Sequence, residues 1–159
     1  MKKLFLMFSI ALFSAGCAGG GNSDSNGSTE QSAADETKTP GTEAYDPKRG
    51  EGKFTQVKIS DKLDAEMAAR GEKVADLKCI SCHKLTDEKL VGPGWAGVTK
   101  RHTPEWIMNF MTNTDAMIDK DPKVQAMLEI CMVRMPNQNL SDGDTRDILE
   151  FLRKNDGVK

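Results

Sequence analysis

The feature that most constrains this chain is the run Cys79-Ile80-Ser81-Cys82-His83, which places two thiols and an imidazole within five consecutive residues. A Cys-x-x-Cys-His run is the attachment sequence of a c-type haem, because the two-residue gap lets both thiols reach the vinyl groups on one edge of the porphyrin from a single helical turn. The histidine then lies under the iron. The sequence contains one such run, so it predicts one covalently bound haem with His83 as an iron ligand.

Three other kinds of site use closely spaced cysteines, and each fits this chain less well. A thioredoxin-like redox pair is expected beside alternating strands and helices, which the flanking sequence does not suggest. A zinc site needs four ligands, and the remaining candidates Cys131 and His102 do not repeat the paired spacing of zinc fingers. A disulfide between Cys79 and Cys82 would close a short, strained loop and leave His83 without a role.

The N-terminus has the pattern of an export signal. Residues 1–16 combine a short basic start, an apolar run from Leu4 to Phe13, and the small residues Ser14-Ala15-Gly16 of a cleavage site. Cys17 follows directly, and the junction resembles the lipobox of bacterial lipoproteins, in which the cysteine is acylated after cleavage. This resemblance implies a protein exported to the periplasm and held on a bacterial membrane by lipid on Cys17. An ordinary signal peptide is the alternative.

The composition separates a linker from a folded domain. Residues 17–53 are rich in Gly, Ser, Thr, Asn and acidic side chains, so they are expected to form a disordered tether, and residues 54–159 to form the domain. Removal of Lys2 and Lys3 with the signal lowers the number of basic residues from 22 to 20 against 24 acidic residues, which gives a formal charge of −4. That charge argues against nucleic acid as a partner.

The hydrophobic periodicity within residues 54–159 predicts an all-α domain with about four short helices around the haem. Each predicted helix has a polar capping residue at its start, in two cases followed by proline at the first helical position. The first helix delivers the haem-attachment run. The predicted starts are, in chain order, Ser60 or Asp61, Thr103-Pro104, Asp121-Pro122 and Ser141.

Residues 60–156 resemble the class I, monohaem c-type cytochromes. The resemblance begins with the helix that ends in the attachment run and continues through the loop Val91-Gly92-Pro93-Gly94-Trp95. It implies that the Pro93 carbonyl accepts the Nδ1 hydrogen of His83, and that Trp95 covers the haem. It also implies that the first and last helices cross closely at Gly71, for which Ile148 and Phe151 are the candidate contacts.

The same resemblance places the second axial ligand at Met135, in a Met-Pro loop shortly before the last helix. Local chemistry agrees, because Pro136 forces the preceding residue into an extended conformation outside any helix. Met132 is the nearest competitor, and Met111, Met117 and Met127 are less favoured candidates for this ligand. His102 is expected to face solvent, and a second axial histidine at this position is the minor alternative.

Ligation of the haem iron by histidine and thioether predicts a one-electron carrier and not an enzyme. Iron whose axial positions are both occupied by protein ligands does not bind oxygen or peroxide. The central segment looks like small cytochromes that serve bacterial respiratory reductases. This implies a membrane quinol-oxidising complex and a terminal reductase as partners, with nitrous oxide reductase as one candidate. The alternatives are a haem sensor or weak peroxidase with a labile distal ligand, and a copper-handling lipoprotein that uses Cys131 and the nearby methionines.

Overall fold

The computed structural model describes residues 45–159 and folds them into six helices, with no β-strand in that range. The all-α prediction is confirmed. None of these six helices combines the length and apolar character that crossing a bilayer requires. The predicted signal peptide, Cys17 and the linker as far as residue 44 lie outside the described residues. The helices are α1 (Ala65–Lys78), α2 (Val98–Arg101), α3 (Pro104–Thr112), α4 (Thr114–Lys120), α5 (Pro122–Cys131) and α6 (Asp142–Asn155).

Helices α1 and α6 form the most extensive helix contact and cross at Gly71. A Cβ atom at this position would collide with the carbonyl oxygen of Asp147 and would lie 2.7 Å from the amide nitrogen of Ile148. The predicted crossing and the contact with Ile148 are therefore confirmed. Phe151 packs one turn further along, where it belongs to a cluster with Cys79. The crossing thus fixes the end of α1, from which the attachment run starts.

Three of the predicted helix starts are confirmed by their caps. The side chains of Thr103, Asp121 and Ser141 accept hydrogen bonds from backbone N–H groups in the first turns of α3, α5 and α6. These bonds satisfy N–H groups that have no partner within the helix.

The start of α1 differs from the prediction. Its cap is Asp64, whose side chain accepts a hydrogen bond from the amide of Met67, and not Ser60 or Asp61. The preceding residues are held out of the helix by α6, because the Arg153 guanidinium donates to the Ser60 carbonyl. A tertiary contact therefore decides between neighbouring polar residues that are all acceptable caps.

The sequence patterns did not predict α2 and α4. Helix α2 has four residues, and its first turn is held by the Asp156 carboxylate, which accepts hydrogen bonds from the amides of Gly97 (2.6 Å) and Thr99 (2.8 Å). Helix α4 starts after Asn113, which provides no side-chain cap. Both helices therefore lack the local signals on which sequence-based recognition depends.

Residues 45–53, assigned to the linker from their composition, lie against the helical domain. The Tyr45 hydroxyl donates to the Asp121 carboxylate at the start of α5. The amide group of Asn109, which is fully buried in α3, donates to the Arg49 carbonyl at 2.9 Å. The predicted domain start at residue 54 is therefore too late, because composition does not report hydrogen bonds that α3 and α5 supply from elsewhere in the chain.

The main hydrophobic cluster is built from α3, α4, α5 and α6. It contains Met111 and Met117, two of the less favoured ligand candidates, and it lies behind the crevice described below. Its buried members are Trp106, Ile107, Met108, Met111, Met117, Ile118, Val124, Ile148, Leu149 and Leu152.

Candidate functional site

The attachment run forms a tight turn directly after α1. Cys79 is the C-cap and its amide donates to the Ala75 carbonyl, while the amides of Cys82 and His83 both donate to the Cys79 carbonyl at 3.0 Å. This turn brings both thiols and the imidazole to one crevice. None of the three cysteines in the described range forms a disulfide. Burial raises the pKa of the Cys79 thiol to about 11, so it is protonated at neutral pH.

The imidazole of His83 is held in one orientation by the loop that follows it. Its Nδ1 lies 2.8 Å from the Pro93 carbonyl oxygen, and its ring stacks on Trp95 with centroids 5.1 Å apart. Burial lowers the pKa of His83, although the bond to Pro93 acts in the opposite direction, so the ring is neutral at neutral pH. Nε2 has no hydrogen-bond partner among residues 45–159, which leaves its lone pair available to a metal.

Gly92 makes room for this imidazole. A Cβ atom at position 92 would overlap the His83 ring and would lie 2.9 Å from both ring nitrogens. From the sequence, Gly92 is only one member of the loop that follows the attachment run. Its role as a cradle for the ring could not be read from the sequence, because it depends on how the loop folds back over the attachment run.

The crevice has two lobes that share part of their lining. The thiol lobe, of about 380 Å³, is bordered by Cys79 and Cys82, and the aromatic lobe, of about 460 Å³, is bordered by Trp95 and Trp106. Both volumes are in the range of small-molecule sites. The residues that border both lobes are His83, Pro93, Phe110, Met127, Cys131 and Met135.

Among the candidates for the second iron ligand, Met135 and Met132 differ clearly in their surroundings. Met135 lies in the non-helical segment before α6, is partly buried, packs against the main cluster and borders both lobes. Met132 is the C-cap of α5 with φ of 58° and is 82% exposed, bordering neither lobe. Met127 also borders both lobes, but from within α5.

His102 does not face solvent, in contrast to the prediction from the sequence. Its ring stacks on Trp106 with centroids 3.7 Å apart, it borders the aromatic lobe, and its Nδ1 is buried without a hydrogen-bond partner. Burial, together with the nearby Lys123 and Arg101, lowers the pKa of His102 to about 4. The solvent-facing prediction depended on the charged neighbours Lys100 and Arg101, and it is wrong because a charged neighbour in the chain does not fix the direction of a side chain.

The crevice fits a covalently attached haem. Two thiols border one lobe, a neutral imidazole with a free Nε2 borders both lobes, and most of the remaining lining is apolar. Trp95 lies behind His83, where it supports the imidazole and borders the aromatic lobe.

Comparisons with known proteins agree with this fit. The family model described as cytochrome c matches residues 68–156. A cytochrome c from Rhodothermus marinus is similar in structure, with a TM-score of 0.64 and 36% identity over 66% of this chain and 90% of that chain. An engineered cytochrome c from the same organism gives a TM-score of 0.63 at 35% identity, with the same coverage of both chains.

The engineered cytochrome c bound to a carbene intermediate gives a TM-score of 0.60 at 35% identity, again over 66% of this chain and 90% of that chain. No curated protein matches the chain significantly.

Proposed function

Because the chain belongs to the cytochrome c family and carries a covalent haem c for electron transfer, we propose that it is a one-electron carrier whose iron is bound by His83 and Met135. The observation that carries this proposal is the pair of non-helical segments that meet at the crevice. One presents a neutral imidazole with a free Nε2, and the other presents a partly buried thioether that borders both lobes.

The haem, when bound, supplies an iron that exchanges one electron between Fe(III) and Fe(II), and a thioether ligand favours Fe(II) and raises the reduction potential. The protein contributes the orientation of the ligands. Pro93 fixes the His83 ring through Nδ1 and increases its basicity. Pro136 keeps Met135 out of the helices on either side of it. With His83 and Met135 both bound to it, the iron would have no open position for a substrate, so the protein would exchange electrons only.

The mouth of the thiol lobe is the surface that we propose for contact with redox partners. Leu77 is 86% exposed, and Val91 and Val133 are exposed beside it. Lys78 and Arg134 border the same lobe. An exposed apolar patch rimmed by charged groups is typical of a transient interaction site, and this patch borders the same lobe as the two thiols that would hold the haem.

We also propose the cellular setting that the N-terminal sequence suggests. Acylation of Cys17 would hold the protein on a bacterial membrane, on the periplasmic side, within reach of respiratory complexes. A membrane quinol-oxidising complex as donor and a terminal reductase, with nitrous oxide reductase as one candidate, suit a lipid-anchored one-electron carrier.

The ligand assignment is tested with Met135→Ala and the matched variant Met132→Ala in the haem-loaded protein. Met135→Ala is expected to abolish the weak red absorption of ferric iron bound to thioether sulfur, to lower the reduction potential and to open the iron to carbon monoxide. Met132→Ala is expected to change none of these properties, since its side chain lies in solvent.

Loss of the red band in Met132→Ala but not in Met135→Ala would contradict the assignment. An intact mass without added haem, measured on protein matured in a haem-loading periplasm, would contradict the proposal as a whole.

A second candidate function is chemistry at the iron after Met135 leaves it, as in a sensor or weak peroxidase. The observation in its favour is that Met135 lies in a segment without helical hydrogen bonds, while a similar engineered cytochrome c is described as bound to a carbene intermediate. Ready binding of carbon monoxide by the reduced wild-type protein would support this function over the carrier.

Copper binding, the alternative function, would require space that the haem also needs. Cys131 and Met127 border the crevice together with Met135, so a copper ion bound there would compete with haem for the same space. Met132, the remaining candidate copper ligand, points into solvent. Titration of copper into the haem-loaded protein tests this alternative, and tight binding without loss of haem would support it.

A further inference from the structure

The segment that carries Met135 is not held in place by its own backbone. Residues 133–140, between α5 and α6, form no backbone–backbone hydrogen bond with any residue in the described part of the chain. Near each end of the segment a residue other than glycine adopts the left-handed region, Met132 with φ of 58° and Asn139 with φ of 51°, and methionine seldom adopts this conformation. The position of the segment therefore depends on contacts that its side chains and carbonyl groups make with other elements.

Arg134 makes the most extensive of these contacts. Its Nη2 donates to the Asp119 carboxylate at 2.9 Å, to the Asp115 carboxylate at 3.2 Å and to the Asp115 carbonyl at 3.4 Å, and its Nε donates to the Asp115 carboxylate at 3.3 Å. Asp115 and Asp119 are four residues apart in α4, so both carboxylates lie on one side of that helix. The fully buried Met117 fixes the other side of α4 in the core. Arg134 thus ties the residue next to Met135 to a helix that is anchored in the core.

The remaining contacts of the segment are uncharged on its side. Lys78 at the end of α1 donates from Nζ to the Gln138 carbonyl at 3.0 Å, and Met135 and Leu140 pack against the main hydrophobic cluster. Arg134 is the one charged residue between positions 133 and 140. It therefore supplies the ion pairs that hold the segment, and these are the contacts that salt screens most strongly.

We propose that Arg134, Asp115 and Asp119 form an electrostatic latch that keeps Met135 at the crevice, so that salt controls how fast Met135 leaves the iron. The three residues are positioning residues, because they act on the iron through Met135. An exposed ion pair changes an equilibrium by no more than about fivefold. That contribution is decisive here because opening of the segment breaks no backbone–backbone hydrogen bond. The proposal rests on the proposed function, since it takes Met135 as an iron ligand.

The test measures how fast free imidazole replaces the Met135 thioether in the oxidised, haem-loaded protein. Imidazole is added at saturating concentration and at a pH at which it is uncharged, so that the rate reports the departure of Met135 and salt does not act on the probe. Loss of the weak red absorption of ferric iron bound to thioether sulfur follows the exchange. An increase in ionic strength from about 0.01 M to about 1 M, which shortens the Debye length from about 30 Å to about 3 Å, is expected to accelerate the exchange in the wild-type protein.

Variants on both sides of the latch separate its effect from a local change beside the ligand. Arg134→Gln is expected to accelerate the exchange by about two- to tenfold at low ionic strength and to remove the effect of salt, whereas Arg134→Lys keeps the charge and should retain part of that effect. Asp119→Asn leaves residues 133–140 unchanged. It should accelerate the exchange in the same direction but by a smaller factor, because Asp115 still accepts from Arg134.

Arg70→Gln is the matched control. The Arg70 side chain is 53% exposed, compared with 45% for Arg134, and it donates to the Asp147 carboxylate at 2.7 and 2.9 Å, between α1 and α6. Denaturant unfolding should show a similarly small loss of stability in Arg70→Gln and Arg134→Gln, because each breaks an exposed ion pair. The imidazole exchange rate should remain at the wild-type value in Arg70→Gln.

The latch is overturned if Arg134→Gln and Arg70→Gln exchange their ligand equally fast, or if salt accelerates Arg134→Gln as strongly as the wild-type protein. The ligand assignment itself is decided separately by Met135→Ala. Loss of the red band in that variant together with either of these results would reject the latch and leave the proposed function intact. Persistence of the band in Met135→Ala would reject the assignment, and the proposal for the latch with it.

Discussion

At the scale of single residues, the orientation of His83 depends on groups that touch the imidazole from the following loop. The Pro93 carbonyl holds Nδ1, Trp95 supports one face of the ring, and Gly92 leaves the space that the ring occupies. An imidazole held in this way can present Nε2 in a single direction. A small change at Gly92 should therefore affect the iron as strongly as a change in a ligand.

Gly92→Ala is expected to displace the His83 ring, because the added Cβ would lie within the ring's van der Waals envelope. The cost of such overpacking is about 1 to 3 kcal/mol in the free energy of unfolding. The measurements are denaturant unfolding and the absorption spectrum of the haem-loaded protein, with the exposed neighbour Val91→Ala as the control. An unchanged spectrum and stability in Gly92→Ala would show that the loop can move away without affecting the ligand.

At the scale of helices, the contact between α1 and α6 depends on two features. One is the close approach of their backbones at Gly71, and the other is one buried ion-pair network. Glu150 in α6 is fully buried and accepts hydrogen bonds from the guanidinium groups of Arg146 and Arg153, each at 2.6 Å, and from the amide of Asp64 at 2.9 Å. Since Asp64 also caps α1, this one carboxylate joins the start of the first helix to the middle of the last.

Gly71→Ala tests the helix crossing. The new Cβ would meet backbone atoms of Asp147 and Ile148, which cannot rotate away, so the helices must separate and the protein is expected to lose about 1 to 3 kcal/mol of stability. Gly143→Ala is the control in α6, where a Cβ would have only Ser141 Oγ at 3.8 Å nearby. Because alanine favours helix over glycine by up to about 1 kcal/mol, the control should gain stability. Equal effects would refute a special role for Gly71.

Glu150→Gln tests the buried network. Burial disfavours the Glu150 carboxylate, but its hydrogen bonds to Asp64, Arg146 and Arg153 prevail, so its pKa lies below the ordinary value of 4.5. A lowered pKa contributes stability above pH 4.5 that is lost as the pH falls through the pKa of the folded state. Glu150→Gln is expected to cost about 3 to 5 kcal/mol at neutral pH, because it leaves the buried guanidinium of Arg153 without a negative charge to compensate it.

The same variant should flatten the loss of stability below pH 4.5, measured by chemical denaturation at several pH values. Asp142→Asn, in an exposed ion pair with Lys53, is the control and should cost no more than about 1 kcal/mol. An acid transition in Glu150→Gln as steep as that of the wild type would contradict the assignment.

At the scale of the whole molecule, residues 45–53, which precede α1, are hydrogen-bonded to the helical domain. Tyr45 contacts Asp121, and Asn109 and Asn113 donate to carbonyls of Arg49 and Glu51. The domain therefore begins no later than Tyr45.

Cys17→Ser tests the proposed anchor. The wild-type protein is expected to enter the detergent phase in a phase-separation assay, because acyl chains on Cys17 contribute about 0.8 kcal/mol for each buried methylene. The variant is expected to fail in maturation. Cys131→Ser, at the end of α5, is the matched control and should partition like the wild type. Wild-type protein that is cleaved at another position and free in the aqueous phase would reject the anchor.

Several parts of the site could be predicted because their signals are local. The spacing of Cys79, Cys82 and His83 encodes the attachment chemistry within one turn, and Pro136 restricts Met135 whatever surrounds it. The caps Thr103 and Ser141 act on N–H groups two or three residues away. Such interactions need no knowledge of the fold.

The sequence alone thus determined the helical class, the cofactor and the turn that attaches it, because periodicity, capping and the Cys-x-x-Cys-His spacing act over a few residues. Only the tertiary structure decided where Asp64 starts α1, that Tyr45 and Arg49 belong to the domain, and that His102 turns inward onto Trp106. Each of these outcomes depends on a partner that lies far along the chain or on the space left by packed helices. Neither a distant partner nor the space between packed helices can be read from a short stretch of sequence.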